Sequence, residues 1–412
     1  MKTDNLETIA AWLVDGARSA SSSEQVLREL CHRLVALGFP LWRVGVFVRT
    51  LHPQVTGRRF LWRGEGDVSV GNLTFEMLET PEFLQSPVSR VYATLASFRR
   101  RLLDERDIEG FEILGKLRNE GVTDYFAAPL HFTDGTLHVA TFATRAPGGF
   151  SDAHIAGLEQ MLAPLSRVAE IRALRRTASN LLNTYVGSHT GERILAGQIR
   201  RGHTESIRAV VWLSDMRGFT TFVDRLAPQT VIALLNRYFD CQVPAIHDHG
   251  GEVLKFMGDG LLALFKLAGN ADDDRVVCES VLAAAGKARE NVAALAQAVA
   301  AEGIDALRFG LALHPGEVLY GNIGSGDRLD FTCIGPAVNL AARLEKLAGG
   351  IGCSVIASRE FVERAGSPRF APLGEFALPG IVAKQTVYGL DDEVAKSSDA
   401  FPGGPISMPS TK

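Results

Sequence analysis

Residues 250–265 constrain the fold more than any other stretch of this chain. They read GGEVLKFMGDGLLALF, two short apolar runs separated by Gly258-Asp259-Gly260. Apolar runs on either side of such a turn predict a β-hairpin, because glycine tolerates the positive φ that tight hairpin turns need. The hairpin would present Asp259 at its tip, where the main chain can approach a phosphate group.

A second aspartate follows an apolar run earlier in the chain. Residues 210–220 read VVWLSDMRGFT, so we expect Asp215 at the end of a strand that finishes at Ser214. A carboxylate in that position can bind a hard cation, and two such aspartates can share metal ions. Each also has an ordinary alternative when taken alone, because Asp259 suits a turn and Asp215 suits a helix N-cap.

Two further blocks complete the set of candidate groups, residues 309–324 (FGLALHPGEVLYGNIG) and 329–345 (LDFTCIGPAVNLAARLE). In the second block Asn339 and Arg343 lie four residues apart in a helical pattern. Their side chains would therefore project from one face of a helix towards the same ligand. The alternative is an exposed helix in which Arg343 pairs with Glu345 or another neighbour.

These four blocks, in this order and spacing, resemble the catalytic domain of class III adenylate and guanylate cyclases, roughly over residues 187–390. The resemblance implies an α+β fold with a ferredoxin-like palm, in which helices across residues 222–249 separate the first strand from the hairpin. It also implies two Mg²⁺ or Mn²⁺ ions as cofactors, held by Asp215, Met216 and Asp259. One ion would activate the ribose 3′-hydroxyl and the other would steady the triphosphate.

The resemblance assigns the remaining site residues as well. It places Phe219, Thr220 and Gly258 at the substrate. Asn339 would orient the ribose, and Arg343 would stabilise the charge that develops on the α-phosphate.

Base selection in this family depends on two positions, which are Lys255 and Thr332 here. Lysine can donate to adenine N1, and a threonine hydroxyl can accept from the exocyclic amine. Guanylate cyclases usually carry Glu and Cys at these places, so the pair favours ATP and resembles a subgroup with Thr in place of Asp. The alternative for Lys255 is a charged residue that protects a strand edge.

The family also implies the assembly. Its members take the metal-binding aspartates from one protomer and the base, ribose and transition-state residues from the other. Because this chain carries one catalytic domain with both sets, we expect a homodimer with two equivalent sites that make cyclic AMP from ATP.

One departure from the family pattern concerns phosphate binding. Relatives in this subgroup commonly show Leu-Lys-Gly-Ile near the C-terminus, whereas this chain has Leu378-Pro379-Gly380-Ile381. Losing that lysine would weaken ATP binding by a few kcal/mol unless Lys384 replaces it. The missing lysine keeps a catalytically silent nucleotide-binding dimer open as an alternative. A guanylate cyclase is a second alternative, against which Lys255 and Thr332 argue. Pro336, where Asp is frequent, is expected to start the helix of Asn339 without harm.

The N-terminal part predicts a different α+β unit. A helical stripe over residues 24–37 precedes strand-like runs from Trp42 and Arg58, and a hairpin pattern surrounds residues 133–135. The order of elements resembles a GAF-type sensor domain that receives an unknown small-molecule or protein signal. The predicted boundaries are 1–151 for this domain, 152–190 for a helical connector, 191–392 for the cyclase domain and 393–412 for a disordered tail.

The connector has apolar residues at steps of three or four, namely Met161, Leu165, Val168, Ile171, Leu174, Ala178 and Leu181. This stripe suits a two-chain coiled coil or, alternatively, a helix that lies on its own domain. Pro164 is expected near a helix start or a kink.

Composition limits the partners and the compartment. A formal net charge of -4 over 412 residues gives no sequence-wide case for nucleic acid or an anionic membrane surface. The N-terminus lacks a signal pattern, and no stretch stays apolar for the roughly 20 residues of a membrane helix. We therefore expect a cytoplasmic protein whose cysteines are reduced, mostly buried thiols, at positions 31, 241, 278, 333 and 353.

Overall fold

The computed structural model describes residues 5–53, 55–64, 66–103, 105–304 and 307–394. The chain divides into two compact units, Met1–Leu182 and Asn183–Lys412. The predicted connector is thus divided between the units, and the predicted disordered tail lies outside the described residues from position 395 onward.

The first unit consists of one β-sheet, with helices before, between and after its strands along the chain. Its described helices are α1 (Leu6–Val14), α2 (Ser23–Ala36), α3 (Phe75–Glu79), α4 (Pro81–Leu84), α5 (Pro87–Thr94), α6 (Glu112–Asn119) and α7 (Asp152–Val186), the last of which continues into the second unit. Its described strands are β1 (Arg43–Arg49), β2 (Gly57–Arg63), β3 (Ser69–Leu73), β4 (Phe98–Arg101), β5 (Asp124–His131) and β6 (Leu137–Thr144).

The six strands form one antiparallel sheet in the order β3-β2-β1-β6-β5-β4. The predicted helix corresponds to α2, and Ser22 caps it by accepting a hydrogen bond from the Gln25 main chain. The predicted hairpin joins β5 to β6, with His131 opposite Leu137. The α+β prediction for this unit is therefore confirmed at the level of its elements.

Helix α7 changes character along its length. Met161, Leu165 and Val168 are buried against the core of the first unit, whereas Ile171 and Leu174 are exposed. The first half is thus a helix lying on its own domain, the alternative to a coiled coil. Pro164 lies in the helix interior rather than near its start.

The second unit carries the predicted palm. Its described helices are α8 (Ser188–Leu195), α9 (Phe219–Arg225), α10 (Pro228–Asp240), α11 (Val243–Asp248), α12 (Ala271–Ala300), α13 (Pro336–Ile351) and α14 (Arg359–Ala365). Its described strands are β7 (Thr204–Arg217), β8 (Glu252–Met257), β9 (Gly260–Lys266), β10 (Arg308–Gly324), β11 (Leu329–Ile334), β12 (Val355–Ser358), β13 (Phe370–Phe376) and β14 (Gln385–Leu390).

These strands form an 8-stranded sheet in the order β13-β14-β12-β10-β7-β9-β8, with β11 paired to β10. Both faces of β7 are buried, because Trp212 packs in one apolar cluster and its neighbours Val211 and Leu213 pack in another. The central strand is therefore held from both sides. Pro336 is the first residue of α13, as expected for a helix-starting proline.

Strand β7 is longer than the sequence indicates. It was expected to end at Ser214, but it continues to Arg217, because Asp215, Met216 and Arg217 pair with Gly310, Phe309 and Arg308 of β10. The following helix begins at Phe219 instead of Phe222.

The remaining predictions concern the state of the cysteines and the presence of membrane-spanning helices. No disulfide joins the described cysteines, and four of the five are buried while Cys241 is half-buried. Within the ranges that the structure describes, none of the helices combines the length and the apolar character needed to cross a membrane.

Candidate active site

The β8–β9 hairpin presents Asp259 as predicted. Met257 pairs with Gly260, so Gly258 and Asp259 form the two-residue loop. Gly258 has φ +68°, in the left-handed region that side chains other than glycine disfavour. The turn chemistry of the sequence thus fixes where the Asp259 carboxylate lies.

The hairpin tip closes onto β7 beside Asp215. The β7–β9 ladder ends with Ser214 opposite Leu261, so Asp215 is the first residue beyond it. A Cβ on Gly260 would lie 3.1 Å from the Ser214 carbonyl oxygen and 3.6 Å from Asp215 Oδ1. A side chain at Gly260 would therefore crowd the Ser214 carbonyl oxygen, whereas Asp215 Oδ1 would lie at an ordinary contact distance.

The two carboxylates share a hydrogen bond and repel each other when both are ionised. Burial, the hydrogen bond to Asp215 and the negative charge of Asp215 together raise the pKa of Asp259 to about 6. Glu345 on α13 adds a smaller repulsion. Burial also raises the pKa of Glu345, although its ion pair with Arg217, at 2.7 Å, opposes that shift.

This donor set suits a divalent cation. Carboxylate oxygens are the ligands of Mg²⁺ and Mn²⁺, and a cation would relieve the repulsion between Asp215 and Asp259. Among the described residues, no three His, Cys, Asp or Glu side chains converge closely enough to hold a metal by themselves. Substrate phosphates would complete the coordination, as is usual for Mg²⁺ at nucleotide sites.

The other residues predicted at the metal ions or at the substrate differ in exposure. The Met216 side chain is buried in the core, so only its main chain is available to a metal. Phe219 packs against the same core, whereas Thr220 and Gly258 are exposed.

The predicted base-selecting residues lie near each other, together with a residue that the sequence analysis missed. Lys255 Nζ donates to Asp330 Oδ2 at 3.1 Å. Asp330 precedes Thr332 by two residues on β11, so the two share one face of the strand. This two-residue spacing is the sequence signal that could have identified Asp330.

Thr332 is buried, and its Oγ1 has no hydrogen-bond partner within the described residues. Buried hydroxyls are ordinarily paired, so this atom is a candidate ligand contact. The alternative role of Lys255 also keeps support, because β8 is the terminal strand of the sheet.

Asn339 and Arg343 lie on an exposed face of α13. Neither side chain makes a hydrogen bond or ion pair in the part of the chain that the structure describes. Glu345 is two residues further, about 200° around the helix from Arg343, and it is buried against Arg217. The alternative pairing of Arg343 with Glu345 is therefore wrong, and within the described residues no hydrogen bond or ion pair joins Arg343 to Asp215 or Asp259.

The departure from the family pattern lies between β13 and β14. Leu378 is buried, while Pro379 and Lys384 are both exposed. Neither residue is packed into the domain, so Lys384 is available to a ligand on this surface.

Comparison with known proteins agrees with this geometry. Residues 203–391 match the family model of the adenylate and guanylate cyclase catalytic domain. An adenylate cyclase of Anabaena cylindrica is 28% identical over 197 residues, 48% of this chain and 38% of the relative. Adenylate cyclase 1 of Rhizobium meliloti is 31% identical over 178 residues, 42% of this chain and 26% of the relative.

Among solved structures, the adenylyl cyclase CyaB of P. aeruginosa matches with 28% identity and a TM-score of 0.41, covering 46% of this chain and 95% of that chain. The chain spans well under half the length of the two curated relatives. Residues 203–391 of the second unit therefore resemble the adenylate and guanylate cyclase catalytic domain, over a little less than half of the chain. Its homologues include adenylate cyclases.

Proposed function

We propose that this protein is an adenylate cyclase that converts ATP to 3′,5′-cyclic AMP and pyrophosphate as a homodimer. In this reaction the ribose 3′-oxygen forms a bond to the α-phosphorus, the bond from that phosphorus to the β-phosphate bridging oxygen breaks, and the hydroxyl proton is released. The observation that carries the proposal is the meeting of Asp215 and Asp259 at the hairpin tip. Such a carboxylate pair suits a metal-dependent reaction of a polyphosphate.

Asp215 and Asp259 would hold two Mg²⁺ or Mn²⁺ ions, with the main chain of Met216 as a further ligand. The ions, when bound, supply Lewis acidity to the 3′-hydroxyl and neutralise charge on the triphosphate. Phe219, Thr220 and Gly258 lie next to these residues in the chain and would contact the phosphates. The raised pKa of Asp259 supports this assignment, because a cation replaces the proton that otherwise relieves the repulsion.

Lys255 and Thr332 would read adenine. Lys255 would donate to N1, and the Thr332 hydroxyl would accept from the exocyclic amine. The unpartnered Thr332 Oγ1 supports this role, since a buried hydroxyl without a partner costs about 1–3 kcal/mol. Asp330 would act as a positioning residue, because its carboxylate already holds the Lys255 ammonium group.

The exposed face of α13 would act across the dimer. Arg343 and Asn339 of one protomer would bind the nucleotide whose metal ions the partner's aspartates hold. Arg343 suits the charge that develops at the α-phosphate, because its guanidinium is always protonated. Its exposure and lack of a protein partner support a role that a second chain completes.

Two alternative functions can be weighed by particular residues. A guanylate cyclase is disfavoured by Lys255 and Thr332. A catalytically silent nucleotide-binding dimer is favoured by Pro379, which replaces the lysine that binds terminal phosphates in similar proteins. The retained aspartates, Asn339 and Arg343 weigh against silence.

The first unit would regulate the second. Its antiparallel sheet and flanking helices support the GAF-like assignment, and α7 provides the covalent connection. The exposed apolar residues of its second half, such as Ile171 and Leu174, would pair with the same helix of a second chain as a coiled coil.

Product analysis tests the proposal. Purified protein is given ATP or GTP with Mg²⁺ or Mn²⁺, alongside the Asp259→Ala variant. We expect cyclic AMP from ATP and none from the variant. Cyclic GMP as the main product would overturn the base assignment, and no product from either nucleotide would favour the silent dimer.

A further inference from the structure

The first unit contains a cavity that plays no part in the cyclase site. It lies between α2, the first two strands of the sheet and α7, has a volume of about 60 Å³ and is open to solvent at its mouth. A cavity of this size holds the end of a hydrocarbon chain, and the rest of such a ligand would lie in its open mouth. Every residue that lines it belongs to the first unit.

The floor of the cavity is apolar. It is formed by side chains that are themselves buried in the core of the unit, among them Val26, Val46, Val48, Phe60, Leu165 and Val168. The uncharged polar side chains in the lining are Ser23 and Thr50. A nucleotide base or a sugar would find few hydrogen-bond partners on this floor, whereas a hydrocarbon body would match it.

The rim of the cavity is cationic. Four arginines line it, Arg49, Arg58, Arg172 and Arg176. Arg172 donates to the main-chain carbonyls of Ala20 and Ser21. Within the described residues, neither Arg58 nor Arg176 makes a hydrogen bond or an ion pair.

The positive charge of these arginines exceeds the negative charge of the carboxylate that faces them. Burial and the nearby Arg176 lower the pKa of Arg58, which shows that the two guanidinium groups repel each other. The carboxylate that faces them is Glu24. Its pKa is lowered despite burial, because hydrogen bonds and the charges of Arg176 and Arg58 stabilise its ionised form. The Arg49 guanidinium lies over the Tyr92 ring, so one carboxylate faces Arg58, Arg172 and Arg176, which leaves a site that attracts a further anion.

We propose that this cavity binds a small amphipathic anion, a carboxylate with an apolar hydrocarbon body. The hydrocarbon would contact the valine-rich floor, and the carboxylate would lie between Arg58 and Arg176. Charge-assisted hydrogen bonds to arginine are about twice as strong as neutral ones. Since α7 supplies Leu165, Val168, Arg172 and Arg176, the ligand contacts the helix that continues past Leu182 towards the cyclase domain.

The test measures binding of decanoate to the full chain by isothermal titration calorimetry, without metal or nucleotide. Decanol supplies the hydrocarbon without the charge, and acetate supplies the charge without the hydrocarbon. We expect saturable binding of decanoate, and affinities at least about tenfold weaker for both comparison compounds. Binding of acetate as tight as that of decanoate would overturn the proposal, as would an absence of decanoate binding.

Three variants sharpen the test. Arg176→Gln changes an exposed residue and should weaken decanoate binding at least about tenfold. Ala169→Phe fills the floor and should abolish binding while all four arginines remain. Arg63→Gln, at the far end of the strand that carries Arg58, is the matched control and should bind as the parent does.

Circular dichroism and thermal unfolding establish that each variant is folded. Equal binding by Arg176→Gln and the parent chain would contradict the charge assignment, and unchanged binding by Ala169→Phe would contradict the location. Because the readout is binding, these results do not depend on the cyclase activity.

Discussion

The aspartate pair and the exposed face of α13 differ in how much of their surroundings one chain supplies. Asp215 and Asp259 lie where a hairpin closes onto a central strand, and they interact with each other and with Glu345. Asn339 and Arg343 extend from α13 without a protein partner among the described residues. Folding of one chain assembles the first set but leaves the second without a ligand or counter-charge.

The two sets of residues are therefore held in position by different interactions. The carboxylates are held together against their own repulsion by main-chain pairing around Gly258 and Gly260. Arg343 is placed only by its position on a helix whose opposite side is buried. A change in the first set should therefore alter both stability and activity, whereas a change in the second should alter activity alone.

The largest effect is expected from removing an aspartate. Asp259→Ala should lower the cyclase rate by about 10³-fold or more, because metal-bound charge stabilisation is worth several kcal/mol. Initial rates of cyclic AMP formation measure this. Asp327→Ala, an exposed aspartate in the loop before β11, is the control. Comparable losses in both variants would remove the reason for assigning Asp259 to a metal.

Arg343→Ala is expected to lower kcat by about 10²–10³-fold, because one transition-state contact is typically worth about 2.7–4 kcal/mol. Its stability should stay within about 0.5 kcal/mol of the parent, since the side chain is exposed and unpartnered. Lys346→Ala, on the same helix and also exposed, serves as the control. An Arg343 variant with full activity would return this face of α13 to an ordinary solvated surface.

The next largest effect is expected on the selection of ATP over GTP. The double variant Lys255→Glu with Thr332→Cys should lower the ratio of kcat/KM for ATP over GTP by about 10²-fold, since each mismatched buried hydrogen bond costs about 1–3 kcal/mol. Competing ATP and GTP in one reaction, followed by separation of the cyclic products, measures the ratio. An unchanged ratio would mean that these residues do not contact the base.

Asp330→Asn tests the positioning of Lys255. The variant should raise KM for ATP about fivefold with little change in kcat, because it removes the charge of an exposed ion pair that contributes roughly 1 kcal/mol. Glu375→Gln, on exposed β13, is a comparable control. A decrease in KM would show instead that Asp330 competes with adenine for the lysine.

The smallest effect concerns stability and pH. The folded-state pKa of Asp259, about 6, lies above its unfolded value of about 3.9. Its contribution to stability is therefore present below about pH 4 and is lost as pH rises through 6. In metal-free protein at pH 7, Asp259→Asn should be more stable by about 1 kcal/mol after allowance for solvent screening.

Thermal unfolding in a chelator at pH 4 and pH 7 measures this difference. The two proteins should be equally stable at pH 4. With Mg²⁺ and nucleotide added at pH 7, the parent chain should gain stability and the variant should gain less. A variant that is less stable than the parent in chelator at pH 7 would show that the carboxylates do not repel each other.

Turn chemistry and strand periodicity were sufficient to predict the hairpin and the position of Asp259. They failed at the end of β7, because the pairing of Asp215 to Arg217 with β10 is a long-range contact that local sequence does not encode. In the first unit, the predicted elements were found at α2 and in the β5–β6 hairpin. The helical stripe of α7 could not show where packing ends, since Val168 and Ile171 are equally apolar in sequence.

In the candidate active site, too, local features were predicted from the sequence and long-range contacts were not. Helical spacing placed Asn339 and Arg343 on one face, but it could not show that Glu345 turns inward to Arg217. The partner of Lys255 was missed because Asp330 lies 75 positions away in sequence. Ion pairs between distant strands depend on register, which a single strand's pattern does not fix.

The central claim is that the two sets of residues complete one site across a dimer. Asp259→Ala and Arg343→Ala chains with different affinity tags can be co-expressed and the mixed dimer purified. That dimer should carry one intact site of two and show about half of the parent activity, although each variant alone is nearly inactive. A mixed dimer as inactive as its parents, while still dimeric, would contradict the claim.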